Sequence, residues 1–307
     1  MNGSMTFLEF LDLWLEVFKK NSIKPASYQR LQSTRIMLEK YPIATMALKD
    51  ISFMDVQRYI NTLVEDGYSM SSIKKFVQIV SAPMKYAVAM QLIPSSPCMN
   101  VRLPSPVNIK SQPKQICAYT REEQDKLRTC IDAHPENTAF QCVAFMLETG
   151  VRSGEALALK WTDVDLTRCR LNIHATVVEP MRSHHAYVQD SPKTRSSQRI
   201  IPLTPRAIAV LNLLKMRSSV WIFENKKERL SYKILVKQTR RLCKMARVEY
   251  RGEHVFRHTF ATNCYYRGID VKILSKLLGH ASVNITYNTY INLYGDGFDS
   301  MYAALCF

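Results

Sequence analysis

Residues 103–115 constrain this chain more than any other segment. Pro104, Pro106 and Pro113 fall there among Ser, Asn, Lys and Gln, and the apolar periodicity on either side stops. Each proline fixes its own φ and removes a backbone donor, so neither a helix nor an inner strand runs through three of them. The chain therefore reads as two folded regions, residues 1–103 and 117–307, joined by an interdomain linker over 104–116. A length of 307 residues suits that division, being about twice the ~150 residues of a typical domain.

Before the linker, Phe7, Leu8, Leu11, Trp14, Leu15 and Phe18 recur at helical spacing, with Ser4 placed to cap them. Three more helical stretches are predicted over residues 26–39, 52–65 and 71–90, the last interrupted by Pro83. Four helices on short loops predict an all-α bundle. After the linker, Thr120 and Glu123 form a capping box that opens a helix toward Ala133, and a further helix stops at Gly150. Residues 168–178 and 187–203 alternate Val, Ile and Leu with polar partners, predicting strands of one small antiparallel sheet around the polar turn PKTRSSQR. Helical spacing returns from Thr204, with turns near Asn225, Gly252, Gly268 and Gly279. The fold class expected is mainly α with a small antiparallel β-sheet (α+β).

Charge narrows the function. Lys and Arg number 42 against 26 Asp and Glu, a formal net charge of +16. Each Lys or Arg placed on a phosphate releases condensed counterions, so such an excess favours a polyanionic partner. It is spread over both regions, with 13 basic and 8 acidic side chains up to residue 112 and 29 against 18 beyond. A basic enzyme of acidic metabolites is the alternative on charge alone. No apolar run reaches the ~18 residues that span a bilayer; Glu9, Asp12 and Glu16 interrupt even residues 7–18, and the N-terminus reads as no signal peptide. The 8 cysteines form no CxxC pair, which points to reduced thiols and a cytoplasmic protein.

P-loop, dinucleotide fingerprint and GxSxG elbow are all missing from the sequence, as is an acidic trio in a metal-binding pattern. Two segments carry chemistry instead. In ETGVRSGEALALKW, Arg152 and Glu155 stand one helical turn apart just after Gly150. An Arg at a helix start aims a planar fork at a phosphate and adds to the helix dipole; taken alone, the pair is more often a solvated i, i+3 ion pair. In HVFRHTFAT, His254 and Arg257 share a helix face and can reach one ligand oxygen. His254 and His258 also have the i, i+4 spacing of zinc ligands, but Val255 stands where a zinc protease carries Glu, so no metal is expected. His258 reads as a core histidine.

At these residues the chain resembles the tyrosine recombinases of phage and transposon integrase type. Arg152 matches the family's first Arg, Glu155 its acidic position, and Lys193 in SPKTRSSQRIIPL its hairpin Lys. His254 and Arg257 match the His-x-x-Arg box, His280 in LLGHASVNIT the following His, and Tyr290 in YNTYINLY the nucleophile. The match runs in order from Thr120 to Tyr290, and the helical first region resembles the family's core-binding domain. Asn292 departs from the His common two residues after the nucleophile, and Tyr287 and Tyr294 are rivals for that role. Larger members carry an N-terminal arm-binding module; with Phe7 already in the first helix there is no room for one, so a simple recombinase or a chain lacking that module is expected.

The resemblance implies a clamp around double-stranded DNA, cleavage through a 3′-phosphotyrosine with no cofactor, and strand exchange in a tetramer on paired sites. A C-terminal tail bearing Met301, Tyr302, Ala304, Leu305 and Phe307 would dock on a neighbouring protomer or on its own domain, and an accessory directionality factor is a further expected partner. Arg195 and Arg199 are expected on the DNA backbone. The alternatives are a type IB topoisomerase relaxing supercoils, a non-catalytic DNA-binding regulator and a metal-dependent nuclease.

Overall fold

A computed structural model describes residues 5–109, 117–178, 186–189, 198–216 and 220–290, with residues 288–290 as backbone alone. The described chain divides into two compact units, the first ending and the second beginning between residues 109 and 117.

The first unit is helical: α1 (Phe7–Trp14), α2 (Pro25–Leu38), α3 (Phe53–Glu65) and α4 (Met70–Ala89). Thr6, not Ser4, caps α1: its hydroxyl accepts from the Glu9 amide at 3.3 Å, while the Glu9 carboxylate accepts from the Thr6 amide at 2.8 Å. Ser52 and Asp55 repeat this arrangement at the start of α3. Phe7, Phe10, Leu11 and Trp14 from α1 pack with Ile60 and Leu63 of α3 and Val80 and Met84 of α4. That packing overturns the expected interruption at Pro83. The helix continues through it, because Val80, Met84 and Ala87 are fully buried on both sides of the proline and their burial outweighs one missing hydrogen bond.

The second unit is built around α6 (Thr138–Thr149), whose faces are nearly all buried, as expected of a helix at the centre of a core. Around it stand α5 (Arg121–Asp132), α8 (Pro205–Lys215), α9 (Tyr232–Met245) and α10 (His254–Tyr266). Short α7 (Ser153–Leu157) follows α6, and α11 (Val271–Leu278) and α12 (Val283–Tyr290) close the described chain.

The expected single sheet is divided. Strands β1 (Val164–Asp165), β2 (Arg170–Ile173) and β5 (Arg199–Pro202) form one antiparallel sheet in the order β1-β2-β5, with Ile173 opposite Arg199. Strands β3 (Thr176–Val178) and β4 (Tyr187–Gln189) form a separate ribbon, and β6 (Glu224–Asn225) pairs with β7 (Glu228–Arg229) at the expected turn. The break falls at His174 and Ala175, where β2 ends its pairing with β5. Leu171 and Ile173 point into the core, whereas all of β3 is half-buried beside α7, so the two runs serve different surfaces.

Candidate active site

Helix α6 ends at Gly150, whose φ of +67° is left-handed. A side chain there would also meet the Phe260 ring, 2.3 Å from where a Cβ would sit, so only glycine allows this turn. The turn delivers Arg152 to the start of α7. Gly154 lets α7 approach β3 closely: a Cβ at that position would lie 2.7 Å from the Thr176 hydroxyl and 2.8 Å from the Val177 carbonyl.

Glu155 then fixes Arg152. Its Oε1 accepts from Arg152 Nη1 at 2.7 Å and its Oε2 from the Arg152 amide at 2.9 Å. The alternative of a solvated pair fails here, because the Glu155 side chain is only 6% exposed. Burial pushes this carboxyl up, but hydrogen bonding to Arg199 and the charges of Arg199 and Arg152 outweigh it and hold the group at about 2. Glu155 is thus an anion at neutral pH.

Arg199 requires a correction. Expected on the DNA backbone, it is instead buried, donating to both Glu155 oxygens at 3.1 and 2.8 Å and through Nε to the Leu277 carbonyl at 2.7 Å. A guanidinium enclosed in this way is not presented at the protein surface. Lys193 and Arg195 fall outside the described residues.

Arg257, the fourth residue of α10, is also buried. It donates to the Gly150 carbonyl at 2.9 Å and to the Leu278 carbonyl at 2.5 Å, so it ties the end of α6 to the end of α11. His254 opens α10 with its ring partly in solvent; desolvation first, then the charges of Arg257 and Arg152, lower its pKa. His258 is half-buried one turn on, and burial with the neighbouring His254 and Arg257 lowers it to about 4. Among the described residues, no three of His, Cys, Asp or Glu come together as a metal site.

Gly279 leaves α11 in the left-handed region at φ +66°, and the His280 amide closes the turn on the Ser275 carbonyl at 3.1 Å. His280 Nδ1 lies 2.7 Å from the Thr286 hydroxyl, and Thr286 is buried in α12. Burial, then the charges of Arg257, Arg152 and Arg199, lower His280 to about 4. Without DNA the ring is therefore neutral at pH 7, with Nδ1 within hydrogen-bond distance of the Thr286 hydroxyl. Tyr290 is the last residue of α12, one helical turn beyond Thr286. Tyr287 is exposed on the same helix, and Tyr294 and Asn292 lie outside the described residues.

Two families match this chain. Residues 111–295 match the phage integrase family, and residues 6–103 match the phage integrase SAM-like domain. The chain belongs to the phage integrase family. Relatives of this integrase-family protein include the tyrosine recombinase XerC-like protein of Caldanaerobacter subterraneus subsp. tengcongensis, 26% identical over 94% of this chain and 80% of the relative. The ICEBs1 integrase of Bacillus subtilis is 26% identical over 95% of this chain and 80% of its own length. In fold, the chain is similar to the Tn1549 transposon integrase in complex with a circular intermediate DNA, with a TM-score of 0.75 at 17% identity over 94% of this chain and 95% of that one. A lambda integrase dimer bound to a COC′ core site is similar at a TM-score of 0.68 and 20% identity, covering 93% and 95% of the two chains.

Two partnerships and one surface escaped the sequence reading. The pairing of Arg199 with Glu155 and Leu277, and of His280 with Thr286, carries no local signal, because the partners are remote or lie across a turn. The surface was legible: Lys233, Lys237, Arg240 and Lys244 are exposed along α9 and recur at the helical period, forming one basic stripe.

Proposed function

We infer that the protein is a tyrosine-type site-specific DNA recombinase that cleaves and rejoins DNA strands through a 3′-phosphotyrosine. The observation that carries the reading is the pair Arg152 and Arg257, two guanidinium groups held on either side of the Gly150 turn, one by Glu155 and the other by the Gly150 carbonyl. Residues 117–307 form the catalytic half. Residues 1–103 form a helical DNA-binding half.

The Tyr290 hydroxyl attacks the scissile phosphorus, a bond forms from the phenolic oxygen to phosphorus, and the bond to the 5′-oxygen breaks. A phenol with a pKa near ~10 is under ~1% ionised at neutral pH, so the attack relies on nearby positive charge and on a base for its proton. Arg152 and Arg257 stabilise charge gathering on the non-bridging oxygens; His254 and the neutral His280 add hydrogen bonds. Lys193 gives a proton to the leaving 5′-oxygen, producing a free 5′-hydroxyl. The phosphodiester energy stays in the phosphotyrosine, so neither ATP nor metal enters the balance. A 5′-hydroxyl of a partner duplex then attacks the phosphorus, giving its proton to Lys193, the bond to the Tyr290 oxygen breaks, and the base returns its proton to that oxygen as the phosphodiester is restored.

The α9 stripe and Arg195 take the DNA backbone. The assembly is a tetramer on two paired sites, with the C-terminal tail docking between protomers and an accessory factor setting direction. No helix among the described residues is long and apolar enough to cross a membrane, and the recombinase works on DNA in the cytoplasm.

The test is incubation in EDTA with a nicked, site-bearing duplex, followed by a search for a denaturant-resistant protein–DNA adduct. The wild-type chain forms it and Tyr290→Phe does not. An adduct that persists in Tyr290→Phe moves the nucleophile elsewhere; none in the wild type favours a regulator or a nuclease. Exchange between two marked duplexes separates recombination from topoisomerase action.

A further inference from the structure

Arg199 sits where the site's two halves meet. It opens β5, and its side chain is 6% exposed. Two of its nitrogens form a bidentate pair with Glu155, the carboxylate that holds Arg152 by both its backbone amide and its Nη1. Its Nε donates to the Leu277 carbonyl, one residue before the Leu278 carbonyl that Arg257 takes. Both carbonyls belong to the last turn of α11, directly before Gly279 and His280. Arg199 and Arg257 thus close a ring: Gly150 to Arg257, Arg257 to Leu278, Leu277 to Arg199, Arg199 to Glu155, Glu155 to Arg152, and along the backbone to Gly150.

We propose that Arg199 is a positioning residue for strand cleavage, aligning Arg152 through Glu155 and locking that arginine to the α11 corner that carries His280. The proposal rests on the reading of Arg152 and His280 as groups acting on the scissile phosphate. The planar fork suits the role, since three donors in fixed geometry serve a carboxylate and a carbonyl together, which a single ammonium cannot do. Deleting it leaves the buried Glu155 with Arg152 but without the Arg199 fork, and removes the Arg199–Leu277 hydrogen bond that ties the α11 corner to β5.

The experiment measures single-turnover cleavage of a nicked, site-bearing duplex and the salt dependence of binding to the same duplex. The full chain is compared with Arg199→Gln, Arg199→Lys and Arg152→Ala. Cleavage at saturating DNA is expected to fall about 10- to 100-fold in Arg199→Gln, as for a misplaced catalytic group, with affinity and salt slope unchanged. Arg199→Lys recovers only part of the rate. The acid limb of the pH–rate profile moves to higher pH in Arg199→Gln, because Glu155 loses the largest influence holding its carboxyl down. Adding Glu155→Gln to Arg199→Gln costs less than the two single losses combined, since the residues act as one unit.

A salt slope shallower by about one phosphate contact, with cleavage unchanged at saturation, makes Arg199 a DNA contact and overturns the proposal. Full cleavage in Arg199→Lys also overturns it, because the fork is then dispensable. Failure of both Arg199 variants to fold overturns it as well, placing the residue in folding instead of alignment. Unchanged cleavage in Arg152→Ala sinks the underlying reading; lost cleavage there beside intact cleavage in Arg199→Gln sinks only the present proposal.

Discussion

Arg257 donates to the carbonyl of Gly150 at 2.9 Å, across a separation of 107 residues. The contact joins the left-handed turn that presents Arg152 to the helix that begins with His254. This buried guanidinium is therefore held beside the turn that presents Arg152. Its second bond, to Leu278, ties it also to the turn before His280.

Arg257→Ala should abolish most cleavage while sparing binding. Losing one transition-state donor typically lowers the rate about 10²–10³-fold. The Gly150 and Leu278 carbonyls each lose a donor, and an unsatisfied buried group costs about 1–3 kcal/mol, so the melting temperature should fall too. Single-turnover cleavage, a melting curve and a binding titration measure the three effects. If affinity collapses as steeply as cleavage, Arg257 is chiefly a binding residue.

Thr286→Val should slow cleavage about tenfold or more by releasing the His280 ring from its fixed orientation, and Thr286→Ser should restore most of the rate. The hydroxyl contact at 2.7 Å is the motive. Equal rates in the valine and wild-type proteins would show that the contact does not orient the imidazole.

Acid should destabilise the DNA-free protein in two steps. His258 and His280 stand at about 4 in the folded chain against an ordinary 6.5, so the unfolded chain binds more protons between those values. Stability therefore rises with pH through that window and is lost as pH falls from 6.5 toward 4. Glu155 acts lower down: its folded value of about 2 against 4.5 gives a contribution present above 4.5 and lost as pH falls toward 2. Melting temperature followed from neutral to acid pH should show both declines, and His258→Gln should flatten the first. A flat profile down to the carboxylate range would contradict the histidine shifts.

The α9 stripe should govern affinity and leave chemistry alone. Each of Lys237→Ala and Lys244→Ala that removes a phosphate contact should make the slope of log K against log salt shallower by about 0.9. Cleavage at saturating DNA should stay at the wild-type rate. Unchanged slopes in both would place the duplex on another face.

Helix existence was readable because it is local. The Thr120–Glu123 capping box and the stop at Gly150 depend on residues within a turn of each other, and the structure has both. The positions of Arg152, Glu155, His254 and Arg257 were readable for the same reason, since a turn of helix brings i and i+3 to one face. Pro83 was misread because the burial of Val80, Met84 and Ala87, a tertiary effect, overrides a local preference. In the run 168–178 the strands were readable but their partners were not, because alternation marks a strand without naming its partner, and β2 and β3 pair with different strands.

The sequence alone determined which side chains are candidates for the chemistry, namely the cations, the histidines and Tyr290, and the basic excess of +16. Tertiary structure alone decided which of those cations face outward and which are enclosed. Arg199 shows the difference. By composition it is one more Arg in a polar turn, but its partners lie 44 and 78 residues away, at Glu155 and Leu277. Periodicity records only what happens within a few residues, whereas a buried guanidinium is matched to its acceptors by the packing of β5, α7 and α11, which exists only after the chain has folded.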